Sequence, residues 1–283
     1  MSKKTKFRVG LIGEGIQGSR SPALHEAEAR HHGLELRYEL IDLAQGGRTV
    51  ADLPKLIESA SGAGFDGLNI THPCKQAVLP LLDELSEEAR AIDAVNTVVF
   101  RDGRRKGFNT DLSGFSVPFQ RGLGNAPRQT IVLVGAGGAG AAAAYATLAS
   151  GTEQLFIVDR DEGRATALAR RIAQRFPERL LATSDEVAPV VKHADGLIHA
   201  TPTGMQGHPG LPFDPSLLRR EMWLAEIVYV PLETELLRAA RKLGCRTLDG
   251  GGMAVCQAVE AFEHFTGIKP DALRMEAHFR QMV

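Results

Sequence analysis

The sequence predicts an α/β fold in two domains, with mostly parallel sheets covered by helices. Two observations carry that prediction. Short apolar runs alternate with helix-length segments over almost all of the 283 residues, the pattern of parallel strands joined by helical crossovers. The alternation is also interrupted near its middle, at 112–128, by Gly114, Pro118, Gly122, Gly124 and Pro127. A chain of this length accommodates two ordinary domains, and this interruption is the natural boundary.

The apolar runs predict strands at Phe7–Ile12, Leu36–Ile41, Gly67–Thr71 and Val95–Phe100 in the first part. In the second part they predict strands at Thr130–Val134, Gln154–Val158, Leu180–Thr183, Gly196–His199 and Trp223–Val228. Between them, Pro22–His32, Ala141–Ser150 and Glu162–Arg175 have the length and composition of helices. A second break, Gly250–Gly252, leads into a helix-like segment at Met253–Phe265.

Composition excludes several classes of function. Hydrophobic residues at 43% and charged residues at 24% are ordinary for a folded soluble enzyme and argue against disorder. A formal net charge of −1 provides no global field for nucleic acid or an anionic membrane. The basic start, Met1–Phe7, runs straight into a strand with no apolar signal core, and the alanine-rich run at 139–149 is too short to span a bilayer. Cys74, Cys245 and Cys256 have spacings that suit neither a disulfide framework nor a zinc site, so reduced thiols in the cytoplasm are expected. His72 and Cys74 lack ligand partners at suitable spacing, so no metal is expected.

The strongest local signal follows the strand Thr130–Val134. Gly135-Ala136-Gly137-Gly138-Ala139-Gly140 is a complete G-x-G-x-x-G opening a helix of small residues. The first glycine permits the tight turn, the second lets a pyrophosphate approach the backbone, and the third lets helix and strand pack closely. Amides at the helix start then face phosphate charge. The next strand ends in Asp159, where a carboxylate meets the adenosine ribose of a dinucleotide. Strand, motif, helix, second strand and terminal acid in this order predict a Rossmann-type domain. The alternative is a glycine-rich turn in a cofactor-free α/β domain. Asp159 accepts hydrogen bonds from ribose hydroxyls and repels a 2′-phosphate, which favours NAD. Arg160 and Arg164 can pair with a phosphate or stack on adenine, so NADP stays open.

Polar residues of the first part cluster at strand ends: Ser19-Arg20-Ser21-Pro22, Asn69 to Lys75, Ala94-Val95-Asn96-Thr97 and Asn109-Thr110-Asp111. Ligands of open α/β sheets bind beyond the carboxyl ends of strands, and hydroxyls, amides, one lysine and one carboxylate suit a small polyhydroxylated acid. Each residue also has a plain structural reading. Ser21 before Pro22 suits a helix cap, Asn69 and Asn96 suit turns, Lys75 a solvated helix start, and Asp111 an N-cap.

Together the clusters resemble the shikimate/quinate dehydrogenase family. The motifs S-x-S-P, N-x-T-x-P-x-K, A-V-N-T, N-T-D-x-x-G, G-A-G-G-A, A-T-P-x-G-M (Ala200 to Met205) and G-M-x-x-x-Q (Gly252 to Gln257) occur in family order over roughly residues 9–268. The resemblance is nearest the NAD-using quinate/shikimate branch, on Leu68 to Pro73, Tyr229 to Glu235 and the Asp159 strand end. It implies a substrate-binding and catalytic domain at 1–112, completed by C-terminal helices at 253–283, and a Rossmann NAD(P)-binding domain at 113–252. It implies that Ser19 and Ser21 hold a cyclitol carboxylate, that Thr71, Asn96 and Gln257 bind ring hydroxyls, and that Lys75 and Asp111 flank the C3 oxygen. Tyr229 would reach the substrate from the cofactor side. Gly135, Ala136, Gly137, Gly138 and Ala139 with Asp159, Arg160 and Arg164 would hold the dinucleotide, and Thr201, Pro202, Met205, Val228 and Gly252 would line the nicotinamide.

Three departures qualify the match. Asp159-Arg160-Asp161 stands where NADP-using members commonly have Asn-Arg-Thr, and His199 stands where Asn is common. Ser21 stands where quinate-preferring members often have Thr, which tilts the expectation towards shikimate. The expected chemistry is reversible hydride transfer at C3, with neutral Lys75 taking the hydroxyl proton and Asp111 holding the lysine; which of the pair carries the proton in the transition state stays open at this point. The alternatives are a quinate-preferring or aminoshikimate-type dehydrogenase, or a sensor that binds without turnover. Lys75 and Asp111 are both present and no basic extension is seen, which argue against the sensor. A monomer or homodimer is expected.

Overall fold

The structure, a computed structural model, describes residues 4–282. The chain divides into two compact units, one running up to Thr110 and taking in Gln257–Met282, the other comprising Asp111–Cys256.

In the first unit the chain runs β1 (Lys6–Gly13), α1 (Ser21–His31), β2 (Glu35–Asp42), α2 (Leu53–Gly62), β3 (Gly67–Ile70) and α3 (Cys74–Ala77). It continues through β4 (Glu84–Leu85), α4 (Glu87–Ile92), β5 (Thr97–Arg101) and β6 (Arg104–Phe108). The sheet order is β2-β1-β3-β5-β6-β4. β1 pairs in parallel with β2 and β3, as crossover helices require, and β4 pairs in parallel with β6. β5 runs antiparallel to both β3 and β6. The β5–β6 pairing is set by a two-residue hairpin, Asp102-Gly103, whose φ values of 52° and 72° are those of a turn that matches strand twist. The expected strand at Val95–Phe100 therefore starts later, at Thr97, and turns back instead of feeding another crossover.

One side of this sheet packs Ile12, Leu68, Ile70 and Val98 against Leu53, Ile57 and Ala60 of α2. Asp52 at the start of α2 completes a capping box with Thr49, which stabilises the short helix before it.

The second unit holds α5 (Asp111–Leu123), β7 (Thr130–Val134), α6 (Gly138–Ala149), β8 (Gln154–Val158), α7 (Glu162–Ala173) and β9 (Leu180–Ser184). β10 (Gly196–His199), β11 (Trp223–Glu226), α8 (Glu235–Leu243) and β12 (Arg246–Leu248) complete it. Its sheet, β12-β11-β10-β7-β8-β9, is parallel at every pairing. The helices cover it with regular apolar faces. In α7, Ala165, Leu168 and Ile172 are buried at helical spacing behind the Asp161 cap, and in α8, Leu236, Leu237 and Ala240 are buried behind the Thr234 cap. Gly196 is required by packing, because a Cβ there would lie 1.9 Å from the Trp223 ring. That ring is fully buried, and its Nε1–H donates to the Pro127 carbonyl at 2.7 Å.

The chain ends in α9 (Gly251–Thr266) and α10 (Ala272–Arg280). Ala261, Phe262 and Phe265 join Val9, Leu11, Tyr38 and Ala29 in the other core of the first unit. α10 is tied to α1 by Glu28, a buried carboxylate that accepts from Arg274 at 2.6 and 2.8 Å and from the Asp271 amide at 2.8 Å. Burial alone would raise the Glu28 pKa, but Arg274, the Asp271 amide and His32 together hold it below its ordinary value.

Candidate functional site

In the first unit three of the polar clusters follow β1, β3 and β6, where loops carry amides and carbonyls that the ladder does not use. Asn96 instead precedes the amino end of β5, not a carboxyl end as expected; because β5 runs antiparallel to β3, that still brings it beside Asn69. Asp42, at the end of β2, accepts from the backbone of Gly15, Ile16 and Ala44 and from the Gln17 amide, all at 2.9–3.1 Å. Burial pushes this carboxyl up, but Gln17 and the three backbone amides outweigh burial and hold it low. The loop so held leads directly to Ser19. Ser19 Oγ accepts from the Ser21 amide at 3.3 Å. Ser21 is not the helix cap: α1 begins at Ser21 itself, Arg20 occupies the cap position, and no side chain caps it. The Ser21 hydroxyl is thus not consumed by capping.

Thr71 follows β3, and its amide donates to the Ile12 carbonyl at 2.9 Å. A Cβ on Gly13 would come within 2.2 Å of the Thr71 methyl, so the glycine makes room for Thr71 beside β1. Lys75 lies on the short α3, and its carbonyl accepts from the Val95 amide at 2.8 Å, which pins it next to Asn96. Cys74 beside it is fully buried, and burial raises its thiol pKa to about 11, so it is an inert core residue.

Asn96 is not a simple turn former. Its Oδ1 accepts from the Thr110 amide at 2.9 Å, and its Nδ2 donates to Thr110 Oγ1 at 2.9 Å and Gln257 Oε1 at 3.4 Å. Asn69 belongs to the same network, accepting from Tyr38 Oη at 2.7 Å and donating to Thr97 Oγ1 at 3.0 Å. Gln257, 161 positions away in sequence, is thereby brought to the Asn96 cluster. Asp111, next after Thr110, is the first residue of α5 and is buried.

In the second unit the glycine turn joins β7 to α6. Gly135 has φ +107°, and a Cβ there would lie 2.6 Å from the Ala200 carbonyl oxygen and 3.0 Å from the Thr201 methyl. A Cβ on Gly137 would meet only the Arg164 guanidinium, at 3.6 Å, so the backbone there stays open to a ligand with a cation beside it. Ala136, Gly138 and Ala139 are partly exposed around it. Asp159 Oδ2 accepts from the Ala136 amide at 2.8 Å and Oδ1 from the Asp161 amide at 3.0 Å. The acid therefore also orients the turn, and each oxygen keeps a further lone pair for a ribose hydroxyl. Arg160 is exposed beside it.

β7 and β10 are neighbours at the point where strand order reverses, the usual position of a ligand crevice in such sheets. Thr201, partly buried, follows β10 there, with Pro202 and Met205 exposed after it. Val228 is buried and donates its amide to Glu226 Oε1 at 3.2 Å, and Tyr229 is half-buried after it. Gly252 lies on α9 and meets Pro118, at 2.8 Å from the place of a Cβ. This open turn, flanking cation and strand-end acid fit a dinucleotide. Among the described residues no three His, Cys, Asp or Glu side chains gather as a metal site, and no helix is long and apolar enough to cross a membrane.

Asp42 and Glu226 were not anticipated from sequence, although each is an acid ending an apolar strand, the signal that identified Asp159.

Comparison with known proteins agrees with this geometry. Residues 11–98 match the shikimate dehydrogenase substrate binding domain, 119–205 the shikimate/quinate 5-dehydrogenase model, and 250–278 the shikimate 5′-dehydrogenase C-terminal domain. A shikimate dehydrogenase (NADP⁺) of Streptomyces avermitilis is 52% identical, over 98% of this chain and 96% of its own. A quinate/shikimate dehydrogenase (NAD⁺) of Corynebacterium efficiens is 49% identical, over 96% of both chains. Quinate dehydrogenase from Corynebacterium glutamicum, solved in complex with NAD, superposes with a TM-score of 0.88 at 47% identity, covering 98% of this chain and 99% of that one.

Proposed function

This chain belongs to the shikimate/quinate dehydrogenase family, and we propose that it oxidises the C3 hydroxyl of shikimate reversibly to 3-dehydroshikimate. Quinate is a second substrate, NAD the favoured cofactor and NADP a usable one. What carries the reading is the end-to-end similarity together with the presence of Lys75 and Asp111 at the positions of the family motifs.

The bound dinucleotide supplies a hydride acceptor at its nicotinamide ring. The chain does the rest. Ser19 and Ser21 orient the substrate carboxylate, and Thr71, Asn96 and Gln257 orient the ring hydroxyls. Lys75, as the neutral amine, takes the proton of the 3-hydroxyl during oxidation and returns it to the carbonyl oxygen during reduction. Asp111 holds the lysine and accepts from a substrate hydroxyl, so the two act as a coupled pair. Tyr229 is a further substrate contact. On the cofactor, the turn 135–139 holds the pyrophosphate, Asp159 the adenosine ribose, Arg160 and Arg164 the adenine side, and Thr201, Pro202, Met205, Val228 and Gly252 surround the nicotinamide. We assign substrate binding to residues 1–112 with 253–283 and cofactor binding to 113–252, the division that the family resemblance implies. We place the protein in the cytoplasm, in aromatic amino acid biosynthesis, as a monomer or homodimer.

The test is kcat/KM for shikimate and quinate, each with NAD and NADP. The expected order puts shikimate with NAD first. Turnover of neither acid with either cofactor would overturn the proposal, and quinate ahead of shikimate would overturn its substrate preference.

A further inference from the structure

His199 stands where the family commonly has asparagine, and the surroundings of its ring are unusual. It ends β10 fully buried, directly across the ladder from Glu226, which ends β11 and is also buried. His199 Nδ1 lies 2.7 Å from Glu226 Oε1, and Nε2 is hydrogen-bonded to Thr201 Oγ1. Glu226 Oε1 already accepts from the amides of Ile227 and Val228, at 3.1 and 3.2 Å. Oε2 accepts from the Thr234 hydroxyl at 3.0 Å, and Thr234 in turn accepts from the Leu237 amide at 3.1 Å.

This arrangement fixes the hydrogen on Nδ1. Two amides can only donate to Oε1, so that oxygen is an acceptor and the hydrogen between it and the ring belongs to Nδ1. With the ring singly protonated, Nε2 presents its lone pair and takes the Thr201 hydroxyl hydrogen. One Thr201 lone pair receives the Thr203 amide at 3.3 Å, which leaves one more. Thr201 packs against Gly135 of the glycine turn, its methyl 3.0 Å from where a Cβ would sit.

We propose that His199, clamped by Glu226, is a positioning residue that makes the Thr201 hydroxyl a fixed hydrogen-bond acceptor for the nicotinamide half of the dinucleotide. The donors on that half are the carboxamide and the ribose hydroxyls. The inference rests on the reading of Thr201 as part of the cofactor site. It adds to that reading a buried carboxylate–imidazole pair that sets the direction of one hydrogen bond.

Calorimetric titration of the purified full chain with NAD and with ADP, which lacks the nicotinamide half, tests this. His199→Asn keeps an amide within reach of Glu226 but has no atom at the Nε2 position. It should raise the NAD Kd about five- to tenfold, the loss expected for one hydrogen bond, and leave the ADP Kd unchanged. Thr201→Val should do the same, the double variant should be no worse than either alone, and Thr201→Ser should restore NAD affinity. Equal losses for NAD and ADP, or additive single effects, would overturn the proposal by showing general distortion of the turn. Should His199→Asn not fold, an unchanged NAD Kd in Thr201→Val overturns it as well. Wild-type protein that binds neither ligand would overturn the cofactor reading itself.

Discussion

Gly135→Ala tests how the turn couples fold to cofactor binding. Two costs separate at this position. With φ at +107°, an L side chain is strained whatever the space, at about 1–3 kcal/mol. The new Cβ would also stand 2.6 Å from the Ala200 oxygen, so something must retreat by 3.0 − 2.6 = 0.4 Å to reach even the tightest real contact, 3.0 Å. That overpacking adds about 1–3 kcal/mol. Gly151→Ala is the control, because Gly151 has a similar φ of +101° and no neighbour within 4 Å. It carries the strain without the collision. At about 2–4 °C per kcal/mol, thermal unfolding should place Gly135→Ala a few degrees to about 10 °C below the control. The displacement is passed on, since the Gly135 amide donates to Val158 and the Ala136 amide to Asp159, both at 2.8 Å. If a 1 Å misplacement costs about 100-fold, 0.4 Å should weaken NAD binding by about sixfold, while Gly151→Ala binds as wild type. Equal melting of the two variants with wild-type NAD affinity in both would refute the reasoning.

Lys75→Ala should lower kcat by about 10²–10⁴-fold, the loss of a positioned acid–base group, with NAD affinity held within a few-fold. Near wild-type turnover of shikimate would remove Lys75 from the mechanism. Asp159→Asn disturbs the Ala136 and Asp161 amides for either cofactor, so only the ratio of kcat/KM values reports the charge. That ratio should move towards NADP by about tenfold or more, from a repulsion of roughly 1–4 kcal/mol between charges ~4 Å apart, and an unchanged ratio counts against the role of the acid. Acid stability provides a further check on the first unit. Glu28 is held below its ordinary pKa, so the stability it supplies is present above the carboxylate range and is lost as pH falls through the folded value. Glu28→Gln should therefore cost about 1.5–3 kcal/mol at pH 7, and its gap to wild type should narrow on acidification. A gap that does not narrow at all as pH falls below the ordinary carboxylate range would show that the charge is not what matters. His25 acts in the same direction: burial lowers it from 6.5 to about 3, so unfolding takes up its proton as pH drops through that window.

What was legible in the sequence had a period or a motif. Thr130–Val134, Gln154–Val158 and Gly196–His199 are strands at the expected residues, because fully buried parallel strands are continuous apolar runs. β6 escaped because Arg104-Arg105-Lys106 shows no apolar run, although the Asp102-Gly103 pair before it is a hairpin signal. β12, Arg246–Leu248, is too short to have a period. The Asn96–Gln257 contact had no local sign, since it depends on how α9 packs. His199 could be read from sequence only as a departure from the family pattern. Its partner is set by the β10–β11 register, which strand patterns alone do not specify.

The site residues share one physical device. Asp42, Asp159 and Glu226 each stand at the carboxyl end of a parallel strand, and each accepts at least two backbone amides from nearby loops. Loops there leave amides that the sheet does not pair, and a strand-end carboxylate satisfies several at once in a fixed geometry. The loops so held lead to Ser19, contain Ala136 of the glycine turn, and lead to Tyr229. An asparagine at Asp42 or Asp159 has one acceptor oxygen where the carboxylate has two, and would leave an amide facing its own NH₂. The acids therefore do more than place charge: they fix the backbone from which the residues proposed to bind substrate and cofactor project. It follows that a mutation at Asp159 cannot be read as a pure change of cofactor charge, because the carboxylate proposed to meet the ribose also accepts the Ala136 amide and so orients the glycine turn.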